Sequence, residues 1–502
     1  MKVLLIDPPF KRFTGLANYY FPLGLAYLAG AAREDGHDVV IYDADAPEKS
    51  SDINFTEDYV RMNRYITQLQ QDKDPVWDEL GRVITEFQPD VIGISAMTTK
   101  VASAYKTADH VKKIAPSLPV VMGGAHPTAR ADEVLGYGSI DYVIRDEGER
   151  SFNNLLRLLS NGNNKKPSAD ELENISNLSY RHNGEVRHND SAPFIKELEK
   201  IPFPARSALL HIDKYSSEDL GVMLTSRGCP FRCSYCYHPW RGRVNFRSAQ
   251  NVIDEMLLMY HDHNVRHFAI KDDSFTAKRS HVESICDAIN KEKLKISWDC
   301  TTRPNIIDKS LLDRMVQSGC TVVKIGVETG SQRILDVCNR GTTFEQVRKA
   351  ARLFNDKGIF WTGYFMMGLP QEREEDIEAT FNLMKELRPY YAGLGVYEPF
   401  PNTVLFDEAV QMGLINETVP LEHYFTTNPK DYFFVDYKKR VQDIEPERFE
   451  ELTRMMMDEF HKHNTRLGAM LRRGWARRLA YKNDTSLLFG DLKKAAAWRR
   501  PG

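Results

Sequence analysis

Three cysteines, Cys229, Cys233 and Cys236, stand in a CxxxCxxC run preceded by Thr225-Ser-Arg-Gly228 and followed by Tyr237-His238-Pro239. Thiolates this close along a chain can converge on one soft metal centre, because sulfur ligands select iron–sulfur clusters or zinc. A [4Fe–4S] cluster ordinarily takes four cysteines. Three would leave one iron open to bind another molecule, and substrate chemistry could start there. The other reading is a structural zinc site with His238 as fourth ligand, which requires a closed tetrahedral shell. Zinc sites usually join one cysteine pair to a distant second pair, and no second pair follows here. Cys286, Cys300, Cys320 and Cys338 are scattered singly, in the manner of small buried apolar residues.

With Tyr235 just before the last cysteine, the run resembles the signature of radical S-adenosylmethionine (SAM) enzymes. The resemblance implies that Cys229, Cys233 and Cys236 hold a [4Fe–4S] cluster and that SAM chelates the open iron through its amine and carboxylate. One electron would then cleave SAM to methionine and a 5′-deoxyadenosyl radical. SAM-side elements are implied in order behind the cysteines, with Tyr235 among them. Asp272 and Asp273 stand where the family places acceptors for the amine or the substrate; their other role would be to cap the segment from Ser274. Arg303 could pair with the SAM carboxylate through two parallel hydrogen bonds, or be a surface cation. Glu328, within Gly326-Val-Glu-Thr-Gly-Ser331, matches the ribose-side and amine-side element, and a carboxylate on an apolar strand end requires a partner. Gly368-Leu-Pro370 resembles the turn beneath the adenine. Cys338 and Tyr364 are secondary candidates for a catalytic hydrogen or proton donor, expected to be structural.

These residues need a frame. Strand patterns at 222–225, 268–271, 296–298, 321–325, 362–367 and 393–396 are each followed by a loop carrying one of the elements above or, for the last, by Tyr397-Glu-Pro-Phe-Pro401. Six such units resemble the partial (β/α)6 barrel of the family, a TIM-type arrangement with its chemistry at the carboxyl ends of the strands. Ile201-Pro-Phe-Pro204 reads as a linker into it. Upstream, residues 2–6 form a short continuous apolar run closed by Asp7-Pro8-Pro9, as expected of a strand buried on both faces. A helix at 22–33, a strand at 38–42, a polar helical insertion at about 50–85, and strands at 91–94, 120–122 and 142–144 complete the alternation. This pattern predicts a doubly wound, Rossmann- or flavodoxin-like parallel sheet that binds its ligand at the strand ends.

The ends of those strands carry Ser95-Ala-Met97, Gly123-Gly-Ala-His126 and Asp146-Glu-Gly-Glu149. A generic flavodoxin-like sheet with glycine turns would carry as much. However, Ser95-x-Met97 followed after 25 residues by Gly123-Gly124 resembles the S-x-L and GG elements of cobalamin-binding domains. The resemblance implies cobalamin contacts at Pro8, Ser95, Met97, Thr98, Gly123, Gly124, His126, Glu147 and Gly148. A third element, D-x-H-x-x-G with its cobalt-ligating histidine, is absent, since Asp7 is followed by Pro8-Pro9. No protein-derived cobalt ligand is therefore expected, as in the cobalamin-binding branch of the radical SAM family, which Pro22-Leu-Gly-Leu-Ala-Tyr27 also resembles.

A chain of 502 residues suggests two or three domains, here an α/β domain at 1–195, a barrel at 196–430 and a helical region at 431–502. The last contains a helix at 449–460, then basic stretches with interleaved tryptophans at 471–479, Lys493-Lys494 and Trp498-Arg-Arg500. Such a tail is either solvated or rests peripherally on an anionic membrane surface. A net charge of −3 and the lack of a recognised binding module argue against nucleic acid. The first apolar run is short for a signal peptide, and nothing approaches the roughly 20 apolar residues that cross a bilayer. Seven cysteines, an odd number, suit the reducing cytoplasm.

The combined resemblance implies an anaerobic, cobalamin-dependent radical SAM enzyme that transfers a methyl group to an unactivated carbon. One SAM would methylate Co(I), and a second would give the radical that takes a hydrogen from a small-molecule or lipid-like substrate. An electron donor such as flavodoxin or ferredoxin would serve the cluster. A radical cyclisation or rearrangement, as in the anaerobic oxidative cyclase of chlorophyll biosynthesis, is the competing reaction. A non-catalytic corrinoid or metal-binding protein is the competitor from another class, and the run of elements from Asp272 to Pro370 argues against it.

Overall fold

A computed structural model describes residues 1–15, 21–46, 58–161, 167–237, 239–240, 242–483, 485 and 488–492. The chain divides into two compact units. The first is built from the described residues before Ser217 together with Val419–Tyr432; the second is built from Ser217–Thr418 and the chain from Phe433. Residues 196–216 and 419–432 thus pack with the first unit.

The first unit is organised on a seven-stranded sheet of order β2-β1-β3-β4-β5-β6-β7. Strands β1 (Lys2–Asp7), β2 (Asp38–Asp43), β3 (Val91–Ser95), β4 (Val120–Gly123) and β5 (Tyr142–Ile144) are parallel, as their apolar runs predict. Val3, Leu4, Leu5 and Ile6 are wholly buried, because helices cover both faces of a parallel sheet. The sequence reading missed the antiparallel extension by β6 (Leu178–His182) and β7 (Glu185–His188). Their polar composition hides them, although Asn183-Gly184, both at positive φ, is a strong signal for a two-residue hairpin. The helices Asp58–Leu69 and Pro75–Phe87 occupy the described part of the expected insertion; its residues 50–57 lie outside the described residues.

At the carboxyl ends of β1 and β2, Asp7, Asp43 and Asp45 gather around one another. Asp45 accepts from the backbone N–H groups of Phe10, Lys11 and Arg12 at 2.8, 2.9 and 3.0 Å, which fixes the turn after Pro8-Pro9. Asp7 pairs with the half-buried Lys100, whose charge it maintains against desolvation. Tyr215 donates to Asp43 and so fastens the segment that ends this unit. Burial, then the carboxylates of Asp7 and Asp45, push the Asp43 carboxyl up to about 7.

The second unit carries a six-stranded parallel sheet of order β15-β14-β13-β12-β11-β8. Its strands are β8 (Val222–Met223), β11 (His267–Ile270), β12 (Ser297–Thr302), β13 (Cys320–Glu328), β14 (Phe360–Met367) and β15 (Tyr391–Val396), each at a position anticipated from sequence. Helices such as Arg279–Lys291, Phe344–Lys357 and Glu374–Leu387 make the crossovers. An additional antiparallel hairpin, β9 (Ser226–Cys229) with β10 (Arg243–Phe246), frames the cysteine loop. The helix Pro446–Thr465 closes the β15 edge through Asn464, whose amide accepts from Ala392 N at 2.9 Å and donates to Ala392 O at 2.7 Å. Those bonds occupy backbone groups that an open edge would expose. The helices Leu467–Ala476 and Arg478–Asn483 follow; the basic stretches at 493–500 lie outside the described residues. Among the described residues, no helix is long and apolar enough to cross a membrane.

The raised Asp43 carboxyl makes a signed prediction. Its folded value of about 7 lies above the ordinary carboxylate value of about 3.9, so folding takes up a proton between these limits. The stability it contributes is complete below about pH 4 and lost as pH rises through about 7. The thermal unfolding midpoint should therefore fall between about pH 5 and pH 8, and Asp43→Asn should flatten that dependence. A flat wild-type profile would show that Asp43 titrates normally.

Candidate functional site

The cysteine loop is anchored at both ends and in its middle. At its base, the β9–β10 hairpin pairs Cys229 with Arg243, and Gly242 N donates to Cys229 O at 3.1 Å. In the middle, Ser234 N donates to Cys338 O at 2.9 Å and Ser234 Oγ to Val337 O at 2.8 Å. Leu405 N in turn donates to Ser234 O at 3.0 Å. Tyr235 packs against a buried cluster of Ile334, Cys338, Leu369, Tyr397 and Leu405. Cys338 therefore sits inside an apolar cluster and supports the loop. The other catalytic candidate, Tyr364, is exposed on β14.

Two guanidinium groups meet the sulfur of Cys233. Arg303 Nη1 lies 3.4 Å and Arg340 Nη1 3.6 Å from Cys233 Sγ, and all three residues are buried. Arg303 stacks on Phe231 at 3.7 Å and donates to Arg340 O. Arg340 also donates to Gly326 O at 2.9 Å and pairs with Glu328 at 3.1 Å. Glu328 has a φ of 71° at a bulge in β13, which turns its carboxylate back across the strand. Any Cβ at Gly326 would lie 2.1 Å from Glu328 Oε1 and 2.6 Å from Arg340 Nη2. The glycine is thus required by the ion pair.

The donor set fits an iron–sulfur group better as a bound anionic assembly than as bare thiols. Burial raises the pKa of Cys229 and, with the neighbouring Cys233, pushes Cys236 up to about 12. Unliganded, these two sulfurs stay protonated at neutral pH, and a metal centre must displace the protons. Among the described residues, no three His, Cys, Asp or Glu side chains are grouped so as to hold a single metal ion. In a cubane, each cysteine binds a different iron. His238, the fourth ligand of the zinc alternative, lies outside the described residues.

The SAM-side residues are collected at the carboxyl ends of β11 to β14. Asp273 is exposed beside the loop and raises the pKa of both Cys229 and Cys236. Asp272 is committed elsewhere: it is buried and accepts from Thr225 N at 2.7 Å, Thr225 Oγ1 at 2.6 Å and Ser226 Oγ at 2.6 Å. It positions the chain entering β9, so the carboxylate expected at a ligand is engaged within the chain. The turn Gly368-Leu-Pro370 is held by Glu372, whose Oε2 accepts from Gly368 N at 2.5 Å and Leu369 N at 3.1 Å. Burial pushes the Glu372 carboxyl up to about 8. Neither Arg340 nor Glu372 was picked out from sequence. Glu372 carried a readable hint, an acid two residues beyond Gly-Leu-Pro, whereas Arg340 carried none. A layer of His267, Asp299 and Lys324 across β11, β12 and β13 was likewise missed; Asp299 lies 3.2 Å from His267 Nε2 and 2.6 Å from Lys324 Nζ. Cys286, Cys300 and Cys320, scattered in sequence, come together as buried neighbours on the helix Arg279–Lys291, β12 and β13.

In the first unit, the ends of β3 and β4 lie side by side. Ala96 N donates to Gly123 O at 2.8 Å and His126 N to Ala96 O at 3.2 Å. Gly124, at φ 111°, would place a Cβ 2.6 Å from Ala96 O, so only glycine allows the loops to meet this closely. With Met97 and Gly124 exposed and Ser95, Thr98 and Gly123 half-buried, they form an open shelf that suits a bulky ligand. Pro8 is buried at the end of β1, and Gly148 packs near Leu28. At two of the expected contact positions the side chain is committed within the chain. His126 is fully buried with Nδ1 3.3 Å from Thr98 Oγ1 and Nε2 3.0 Å from Glu133. Glu147 is buried and accepts from Ile195 N at 2.6 Å. Both are occupied within the chain.

Two family descriptions match the sequence, the B12 binding domain over residues 14–156 and the radical SAM superfamily over residues 223–384. An uncharacterized methyltransferase, PH0819, of Pyrococcus horikoshii is 32% identical over 474 residues, covering 92% of each chain. The anaerobic magnesium-protoporphyrin IX monomethyl ester cyclase of Rubrivivax gelatinosus is 29% identical over 81% of this chain and 70% of its own. Among solved structures, the radical SAM methyltransferase TsrM of Kitasatospora setae, with tryptophan and a SAM analogue bound, superposes with a TM-score of 0.65. It is 18% identical, over 86% of this chain and 82% of that one. The chain belongs to the family of cobalamin-binding radical SAM enzymes.

Proposed function

We propose that this protein is a cobalamin-dependent radical SAM methyltransferase acting on an unactivated carbon of a small molecule. The observation that carries the reading is the Cys233 sulfur met by two buried guanidinium groups at the mouth of the parallel sheet. The full-length likeness to a relative named as a methyltransferase supports methyl transfer.

Cys229, Cys233 and Cys236 would hold a [4Fe–4S] cluster. Asp273, the Glu328–Arg340 pair and the turn Gly368-Leu-Pro370 would line SAM, with Arg303 and Tyr235 shaping the loop and Asp272 positioning it. Pro8, Ser95, Met97, Thr98, Gly123, Gly124 and Gly148 would line the corrin and its tail. When bound, these groups supply a radical that removes a hydrogen atom and a methyl group to replace it. The chain's own contribution is placement. Arg303 and Arg340 hold negative charge on the cysteine loop, and Glu328 is aimed by its bulge. Burial keeps Glu372 protonated near neutral pH, so the turn it supports carries no added charge. We also propose flavodoxin or ferredoxin as electron donor, a cytoplasmic setting supported by seven free cysteines, and peripheral membrane contact through the basic C-terminal region.

The likeness to the Rubrivivax cyclase favours a second reading, a radical cyclisation. Product mass separates the two. Under anaerobic turnover with SAM carrying a labelled methyl group, methylation adds one labelled CH2 to the substrate, and a product without the label would exclude methyl transfer.

Two sets of variants test the site. Anaerobic reconstitution should load about four irons per chain, and Cys229→Ala, Cys233→Ala or Cys236→Ala should each abolish SAM cleavage and lose most of the iron. Cys286→Ala should retain both, and full iron loading in a Cys233→Ala protein would refute the ligand set. Arg340→Met leaves Glu328 without its buried partner and should weaken SAM binding by about tenfold or more, measured by equilibrium titration, while the iron content stays within about twofold.

A further inference from the structure

A half-open cavity of about 610 Å³, which the function above does not use, lies between the end of the helix Glu374–Leu387 and the C-terminal helices. Its walls include Arg388 and the residues just before β15, so it opens at the amino end of the parallel sheet, away from the cysteine loop. Lys385, Arg388, Arg466 and Arg472 line it, with Glu459 as the acid among its walls. Glu459 is paired with Lys462 at 2.9 Å and lies 4.0 Å from Lys385, so its charge is already matched. His463 adds no cation at neutral pH: its Nε2 is bonded to Pro389 O at 2.7 Å, and burial lowers its pKa. With Lys385 set against Glu459 within the walls, three arginines remain in surplus. Arg388 occupies the left-handed cap of its helix, at φ 50°, a place where glycine is usual. Arg472 extends over the Tyr390 ring at 5.5 Å. Planar guanidinium side chains lining one concavity offer the charge and the donor type that a phosphate group takes.

The helix that supplies Arg472 also carries an outward row. Leu467, Leu471 and Trp475 recur every fourth residue and are 59%, 66% and 69% exposed. The Arg478 guanidinium lies 4.7 Å over the Trp475 ring. Scattered exposed apolar residues are ordinary; an aligned leucine–leucine–tryptophan row bordered by arginines is the pattern of a helix lying in a lipid interface. A soluble phosphate compound would use the cavity and leave the row idle, and a second copy of the chain would meet the row with the arginines unmatched. A phospholipid uses both.

We propose that this cavity is a headgroup site for an anionic phospholipid, with Arg388, Arg466 and Arg472 on its phosphate and Leu467, Leu471 and Trp475 against the acyl chains. The inference rests on the peripheral membrane contact proposed above and is independent of the methyl-transfer chemistry.

Vesicle cosedimentation of the full chain tests it, with phosphatidylcholine alone and with about 30% phosphatidylglycerol at about 0.1 M salt. The expected result is binding at least about tenfold tighter to the phosphatidylglycerol vesicles. The double variant Arg388→Gln/Arg472→Gln should lose that preference, and Leu471→Ser/Trp475→Ser should lose binding to both; all these side chains are exposed or line the cavity, and unchanged unfolding midpoints verify the fold. Equal binding to both vesicles, unaffected by the arginine substitutions, overturns the headgroup site while a surface contact stands. No sedimentation overturns both, as does calorimetric binding of glycerol 1-phosphate without sedimentation. A dimer seen by light scattering and broken by Leu471→Ser/Trp475→Ser overturns the lipid reading in favour of self-association.

Discussion

Two buried cations sharing one sulfur set the terms for everything at the carboxyl end of the six-stranded sheet. Arg303 and Arg340 are taken out of water beside Cys233, and a buried charge without a counter-charge is strongly destabilising. Glu328 answers Arg340; Arg303 has the aromatic face of Phe231 and a backbone carbonyl, neither of which carries a full negative charge. The remaining balance falls on the cysteine loop. A bare thiol does not supply it, since burial keeps Cys229 and Cys236 protonated. Thiolates bound to iron do. The electrostatics of the arginine pair and the chemistry of the cysteines therefore make the same demand.

That demand propagates outward. The Arg340–Glu328 pair crosses β13 where Gly326 has no side chain, and the bulge between Gly326 and Glu328 shifts the register so that Glu328 pairs with Phe365 while its carboxylate meets Arg340. Asp272 binds Thr225 and Ser226 together, and Ser234 is tied to the backbone after the helix Gln332–Val337. The loop's rigidity comes from partners on four different strand ends, which is how a site on irregular backbone attains fixed geometry.

The first unit solves a different problem. Its strand ends carry three aspartates beside the half-buried Lys100, and the backbone adds three N–H donors on Asp45. This leaves the turn after β1 shaped by Pro8-Pro9 and a carboxylate acceptor, in the place where a cobalt-ligating histidine would stand in the commoner pattern. The shelf made by the β3 and β4 loops is backbone-rich, while the polar side chains expected at it, His126 and Glu147, turn inward to brace neighbouring segments.

What the sequence determined by itself was the local chemistry and the parallel strands. CxxxCxxC places three sulfurs within one loop whatever the rest of the chain does, and a strand buried on both faces must be written as a continuous apolar run, so β1, β3, β4 and β13 were legible. The short antiparallel strands β6, polar in composition although partly buried, and β7, exposed at the sheet edge, carry no such run and were not. Only the tertiary structure could decide the partners. Arg340 stands more than a hundred residues from Cys233, Asp272 and Thr225 are nearly fifty apart, and Cys286, Cys300 and Cys320 meet solely because adjacent strands and a crossover helix bring them together. A buried carboxylate or guanidinium reads the same in a sequence whether it touches a ligand or braces a turn. The low dielectric of the folded interior, which forces each charge to find a partner, settles which of the two it does.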